Sequence, residues 1–273
     1  MVERVVLITG STDGVGRAVA HHLASEKMWV LVHGRNRGRG TETVNAIERA
    51  GGRASFFEAD LSTLEGVRAL ASHVAQAHDR LDILINNAGI GTGGSHSVRE
   101  VTPDGFELRF AVNYLAGFLL TRLLLPLLLK TGDARIVNVA SAGQQAIDFN
   151  DVMLEKGFSG VRAYCQSKLA QILFTIDLAE ELKGTGVIVN SLHPATYMDT
   201  TMVKRAGVTP ISTVEEGAQA ILQLARSPEL KGRSGLYFNG LKEARAEASA
   251  YDPKVRAQLR HLSFELCKLA DPR

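Results

Sequence analysis

The sequence predicts a doubly wound α/β protein. Three observations carry this. Continuous apolar or β-branched runs recur along the whole chain, at residues 5–9, 29–32, 54–57, 83–86, 135–139, 187–192 and 235–238. They are unbroken rather than alternating, as expected of parallel strands covered on both faces. Helical patterns fill every gap between them, with short links.

The first run, 5–9, leads into Gly10-Ser11-Thr12-Asp13-Gly14-Val15-Gly16 and a helical pattern over 15–26. Strand, glycine turn and helix in this order let a backbone approach a pyrophosphate and offer it free helix N–H groups. The spacing G-x-x-x-G-x-G departs from the G-x-G-x-x-G of many dinucleotide domains. A flexible turn is the other reading of such glycines. The second run ends in His33-Gly34-Arg35-Asn36-Arg37-Gly38-Arg39, before a helix over 41–50. An acid about twenty residues past the glycines would bind the 2′-hydroxyl of NAD. No acid appears before Glu42, and Arg35 and Arg37 suit a 2′-phosphate, so NADP(H) is expected over NAD(H). A solvated basic turn and an Arg-Gly RNA-binding segment are the weaker readings of this run.

The third and fourth runs bracket a helix over 64–77. A helix over 106–129 follows. Its part from Tyr114 to Leu129 is almost wholly apolar, but Arg122 and Pro126 interrupt it and it is short for a membrane span. A buried core helix is expected. After the fifth run come helices over 164–182 and 214–225. Asp252-Pro253 then reads as an N-cap with proline in the first turn. Val255, Leu259, Leu262, Leu266 and Leu269 give that last helix an apolar stripe for packing on the body of the fold. No repeat and no linker divides residues 1–273, which read as one domain.

Composition narrows the function. A net charge of +2 and 22% charged residues indicate neither a nucleic-acid footprint nor an acidic tail. Cys165 and Cys267 are the only cysteines, too few for a disulfide framework. Only nine residues precede Gly10, leaving no room for a cleavable signal. A cytoplasmic protein without membrane attachment is expected. His73 and His78 fall off a common helix face, and no metal site is expected.

Tyr164 and Lys168 stand four residues apart, one helical turn, on one face. A fixed ammonium beside a phenol favours phenolate and is expected to draw the Tyr164 pKa toward neutrality. Such a group would donate and accept protons near physiological pH.

With Thr9 to Gly16, Asn86-Asn87-Ala88-Gly89, Ser141, Tyr164 and Lys168 standing in this order, the chain resembles the short-chain dehydrogenase/reductase family over essentially its whole length. The resemblance implies a Rossmann-type sheet of seven strands in the order 3-2-1-4-5-6-7. It implies a catalytic set of Asn113, Ser141, Tyr164 and Lys168, with Asn113 holding a water chain behind the lysine. It places Gly10, Ser11, Thr12, Asp13, Gly14, Val15, Gly16, Arg35, Asn36, Asp60, Leu61, Asn87, Ala88, Gly89, Val139, Tyr164, Lys168, Pro194, Ala195 and Thr196 around the cofactor. The run Ala163-Tyr164-Cys165-Gln166-Ser167-Lys168-Leu169-Ala170, with Asn113-Tyr114-Leu115-Ala116-Gly117-Phe118, resembles the retinol dehydrogenase-like branch, which acts on lipophilic carbonyls. Two features depart from that branch: Ala195 replaces a usual glycine, and the N-terminal anchor of many vertebrate members is missing. Pairing into a dimer or tetramer through the long helices is a family habit.

The expected activity is NADP(H)-dependent interconversion of a carbonyl and an alcohol. The four-residue Tyr–Lys spacing and Ser141 speak against an enoyl reductase. The glycine spacing and length speak against a sugar epimerase. A nucleotide-sensing regulator is the reading from another class; a complete Asn-Ser-Tyr-Lys set argues against it. The rim of the substrate site is expected at 144–162 and 197–214, where Phe149, Met153, Phe158, Tyr197, Met198 and Met202 either grip an apolar substrate or bury the rim's own core.

Overall fold

The computed structural model describes residues 3–94 and 97–272. One sheet runs through it in the order β3-β2-β1-β4-β5-β6-β7-β8. The strands are β1 (Val5–Ile8), β2 (Trp29–Gly34), β3 (Arg53–Glu58), β4 (Ile83–Asn86), β5 (Arg135–Val139), β6 (Ile188–His193), β7 (Tyr237–Asn239) and β8 (Lys242–Ala244). Seven are parallel in the expected order. β8 is an eighth, pairing antiparallel with β7. Its sequence, Lys-Glu-Ala, has no apolar run to announce it, because an edge strand needs no second buried face.

Both faces of the sheet are covered. Val6, Ile8, Val30, Val32, Ile83 and Ile85 pack toward α1 (Gly14–Ser25) and α8 (Val214–Arg226). Leu7, Leu31 and Leu84 pack toward α3 (Leu64–Ala77), α5 (Ala116–Thr131) and α6 (Gly160–Glu181). Each fully buried Leu or Ile contributes about 1.5–3 kcal/mol, so strand alternation divides one apolar run between two cores.

Side-chain caps set several helix starts. Asn36 Oδ1 accepts from Arg39 N at 2.9 Å, which starts α2 (Arg37–Arg49) earlier than the glycines at 38 and 40 suggest. Ser159 caps α6, which begins at Gly160 rather than at Tyr164. Asp252 caps α9 (Pro253–Leu266), as expected.

The helix expected over 106–129 is not uniform. α4 (Leu108–Phe110) passes into a π turn at Ala111–Leu115, then into α5. The wide turn holds Asn113, whose amide bonds main chain outside the helix. Such bulges concentrate at functional sites. The stretch Leu108–Thr131 is long enough to cross a membrane and contains an 18-residue window of mean hydropathy 1.7, yet 56% of that window is buried within the fold.

The C-terminal α9 docks on α6 and on the π turn. Tyr114 Oη and Ser263 Oγ lie 2.6 Å apart, and the rings of Phe118 and Phe264 stack edge-on at 5.2 Å. Arg260 pairs with Asp177 at 3.1 Å and Arg256 with Glu180 at 2.7 Å. Arg122, buried among Phe118, Phe174 and Phe264, pairs with Glu181 at 2.6 Å. Removing either member of that buried pair would leave an uncompensated charge.

Candidate active site

Strand order reverses between β1 and β4, and the crevice at the carboxyl ends of such strands is where open α/β sheets bind ligands. The sequence-predicted residues gather there. At the floor, Gly10 adopts a left-handed φ of 65° and Gly16 has no room for a side chain. A Cβ on Gly16 would fall 2.4 Å from Gly10 O and 2.5 Å from Asn87 Nδ2.

Asn87 staples this turn, donating from Nδ2 to Thr9 O at 2.9 Å and to Gly10 O at 3.1 Å. Thr9 Oγ1 accepts from the amides of Asn87 and Ala88. Ser11 is fully spent on the chain itself, donating to Ile8 O and accepting from His33 N. Asp13 caps α1 through Gly14 N at 2.7 Å, and the first turn of α1 carries no acidic residue. Thr12 and Val15 flank this turn. The positive end of α1 favours negative charge, and in this structure the Asp13 carboxylate meets it at Gly14 N.

His33 is a member of this floor that the sequence did not single out. Its Nδ1 accepts from Gly10 N at 3.1 Å. Burial, first of all, holds its pKa down at about 4, so the imidazole is neutral and free to accept.

At the far end of β2 the arginines are exposed. Arg35 is 67% exposed and stands 3.9 Å from Asp60 Oδ1. Arg37 Nε donates to Glu58 Oε2 at 2.8 Å, and Arg39 lies 3.6 Å from Asp13. Glu58 enters because β3 sets it beside Gly34, which chain order alone conceals. Arg35 is thus the loosest of the three. Asn36 spends its side chain on the α2 cap. Leu61 turns into the core, so only its main chain is left to face a nucleotide.

The catalytic set predicted from the sequence comes together at the end of β5. Ser141 Oγ accepts from Gly143 N at 3.0 Å, and a Cβ on Gly143 would lie 3.5 Å from that oxygen and 3.8 Å from Tyr164 Cε1, so the two side chains flank one point. The Ser141 carbonyl is fixed from two sides, by Tyr237 Oη at 3.1 Å and Gln144 Nε2 at 2.9 Å. Lys168 Nζ donates to Val139 O at 2.8 Å and to Gln171 Oε1 at 3.0 Å. Asn113 Oδ1 accepts from Ile90 N at 2.7 Å, while Nδ2 donates to Ile90 O at 3.1 Å and Ser167 Oγ at 3.0 Å. Gly89 sits between Asn113 and Lys168: a Cβ there would lie 3.3 Å from Asn113 Oδ1 and 3.5 Å from Lys168 Nζ.

The electrostatics depart from expectation. Burial pushes the Tyr164 phenol above its ordinary value, and the Ser141 hydrogen bond only partly opposes it. Burial brings Lys168 down to about 7. The ammonium does not draw the phenol down here because its hydrogens go to carbonyl oxygens, with Nζ 5.7 Å from the Tyr164 ring centre. Desolvation of both groups outweighs their mutual attraction.

Over the crevice, Pro194, Ala195 and Thr196 follow β6. Thr196 Oγ1 and His193 Nε2 lie 2.9 Å apart, so that hydroxyl is turned back on the chain. Thr200 rests on Gly14, and Met202, on the short α7 (Thr201–Arg205), rests on Gly91. The rim side chains divide between burial and exposure. Phe149 and Met153 pack on the core, and Met198 packs against α8 at Gly217. Tyr197 and Met202 stay open to solvent. Among the described residues there is no cluster of three or more metal-ligating side chains.

A fold wound around a dinucleotide-type turn, with a Ser–Tyr–Lys group beside it, defines a nucleotide-dependent oxidoreductase. The family model described as short chain dehydrogenase matches residues 4–209. Retinol dehydrogenase 14 of Mus musculus is 37% identical over 95% of this chain and 84% of its own length. A crystal structure of an uncharacterised protein from Mycobacterium paratuberculosis superposes with a TM-score of 0.81, at 28% identity over 99% of this chain and 95% of that one. A short-chain dehydrogenase from Escherichia coli CFT073, solved with NADPH, gives 0.72 at 28% identity over 88% and 97%. The chain belongs to the short-chain dehydrogenase family and is retinol dehydrogenase-like within it.

Proposed function

We propose that this protein is an NADP(H)-dependent oxidoreductase that interconverts a carbonyl and an alcohol on a lipophilic small molecule. One observation carries the reading: the Ser141 hydroxyl and the Tyr164 ring converge at the mouth of β5, where a Cβ on Gly143 would lie 3.5 Å from Ser141 Oγ and 3.8 Å from Tyr164 Cε1, with Lys168 one turn behind the phenol.

The residues fit a dinucleotide. Glycines at 10, 14 and 16 keep the turn before α1 without side chains of its own at those positions, and Arg35 stands at the ribose end 3.9 Å from Asp60 Oδ1. Val139, Asn87, Ala88, Gly89 and the 194–196 loop would line the rest. The bound nicotinamide would supply or accept the hydride. Tyr164 donates the proton to the carbonyl oxygen in reduction and takes it back in oxidation. Ser141 stabilises charge on that oxygen by hydrogen bonding. Lys168 reaches the nicotinamide ribose and, when charged, favours phenolate. Asn113 pins Ile90 and Ser167, which fixes the helix that carries both.

A lipophilic substrate is supported by the exposed Tyr197 and Met202 on the rim and by the name of the retinol dehydrogenase relatives. The reading includes a single domain over 1–273 and a cytoplasmic location, supported by the burial of more than half of the most apolar 18-residue window of Leu108–Thr131. A homo-oligomer would use a face other than the side of α6 that α9 covers.

The test is Tyr164→Phe. NADPH binding, followed by quenching or enhancement of its fluorescence, survives, while carbonyl turnover falls about 10²–10⁴-fold. Turnover within a few-fold of wild type would overturn the assignment.

A further inference from the structure

Lys168 is buried, yet among the described residues no carboxylate pairs with it. What holds it is a pair of neutral acceptors. One is the carbonyl of Val139, supplied by β5 whatever its side chain. The other is the amide of Gln171, one turn further along α6 and itself only 4% exposed. A protonated lysine has three hydrogens to donate. Two are fixed by these oxygens, and the third is left for the crevice. With only two hydrogens, the neutral amine would satisfy the same two oxygens and present a lone pair instead. Gln171 therefore decides what Lys168 offers to the site.

We propose that Gln171 is a positioning residue for the reaction: its Oε1 anchors Lys168 Nζ so that the remaining N–H of the ammonium is aimed at the crevice. This rests on the reading of Tyr164 and Lys168 given above. Gln171 also borders a small, partly enclosed chamber of about 10 Å³ with Thr9, Asn86 and Asn113 on its walls, close to the space one water needs. Asn86 Oδ1 is buried there without a hydrogen-bond partner. The amide thus lies between a buried polar chamber and the ammonium. Thr175 Oγ1, donating to Gln171 O at 2.8 Å, ties the same residue's backbone to the Asn138–Asn86 chain of hydrogen bonds across the sheet.

Two titratable groups face the ammonium: Tyr164 from α6 and His193 from β6, whose own pKa is lowered by burial and by Lys168. The π turn and β5 contribute Asn113 and the Val139 carbonyl, which do not titrate. Since burial sets Lys168 at about 7 and holds Tyr164 above its ordinary value, the first alkaline limb of the reduction belongs to Lys168.

Gln171→Leu removes the acceptor and leaves desolvation unopposed. Gln171→Glu keeps the shape and adds a counter-charge. The first alkaline limb of kcat for carbonyl reduction moves down by about one unit in Gln171→Leu and up by about one unit in Gln171→Glu. A residue that only fills space would change the melting temperature or scale kcat evenly, leaving the limb where it was. Unmoved limbs in both variants, with Tyr164→Phe inactive, would overturn the proposal. If Gln171→Leu fails to fold, the upward shift in the isosteric Gln171→Glu decides alone. An active Tyr164→Phe would instead sink the underlying reading, so the two failures are separable.

Discussion

The two ends of the crevice are built in opposite ways. Around Tyr164 the polar side chains are buried and each is held by partners fixed in turn: Asn113 makes three hydrogen bonds, and the carbonyl of Ser141 accepts two. Around Arg35 the side chains stand in solvent and touch carboxylates at 2.8–3.9 Å. Chemistry on a carbonyl needs donors already aimed where charge develops, in a site from which water is excluded, because reorganisation during the reaction would cost what the donors gain. Recognition of a phosphate does not. The ligand brings its own charge, and an exposed guanidinium needs only to be near it. Rigidity is concentrated at one end and adaptability at the other.

The sharpest way to break this contrast is Ser141→Ala. It removes a donor aimed at the developing charge, and kcat should fall about 10²–10³-fold with NADPH affinity little changed. Steady-state kinetics beside a binding titration check it; a loss confined to KM would mean that the buried end is not preorganised.

Next comes His33, the buried neutral base beneath the glycine turn. Its folded pKa of about 4 lies below its unfolded value of 6.5. The unfolded chain therefore takes up the extra proton between pH 6.5 and 4. Its contribution is intact above 6.5 and fades as pH falls, by on the order of 3 kcal/mol across the window. Urea titrations at pH 7 and pH 4.5 should reveal that loss, and His33→Leu should flatten it. An equal acid slope in both proteins would place the sensitivity elsewhere.

The exposed end should yield less, and selectively. Arg35→Asp should weaken NADPH about 10- to 150-fold while sparing NADH, and Arg37→Ala should do little to stability, since its pair with Glu58 is exposed. Comparing Kd for the two cofactors checks both. An unchanged NADPH-to-NADH ratio in Arg35→Asp would move the selectivity to Arg39.

How much of this was legible in the sequence follows from how local each signal is. Strand cores such as Ile83–Asn86 and Arg135–Val139 were readable to the residue, because a strand buried on both faces reads as a near-continuous apolar run. β8 and the early start of α2 were not: one is an edge strand of polar residues, the other depends on the Asn36 cap prevailing over two glycines. The spacing of Tyr164 and Lys168 fixed their common face but not their charge. That depends on burial and on Gln171, and nothing in a run of letters says that the ammonium will turn toward Val139. Glu58 and His33 were hidden for a similar reason. Their importance comes from neighbours across the sheet, which strand pairing supplies and chain order does not.

The docking of α9 has a consequence for how this protein is made. α6 carries both Tyr164 and Lys168, and its outer surface, Asp177 and Glu180 included, is met by Arg256 and Arg260 of α9, while Phe264 stacks on Phe118 alongside. Synthesis runs from the amino end, and a domain generally folds as a unit. The ribosome must therefore release residues 253–266 before the helix bearing the reactive pair is fully covered, and a nascent chain halted at residue 252 would hold every predicted catalytic side chain on an unfinished scaffold.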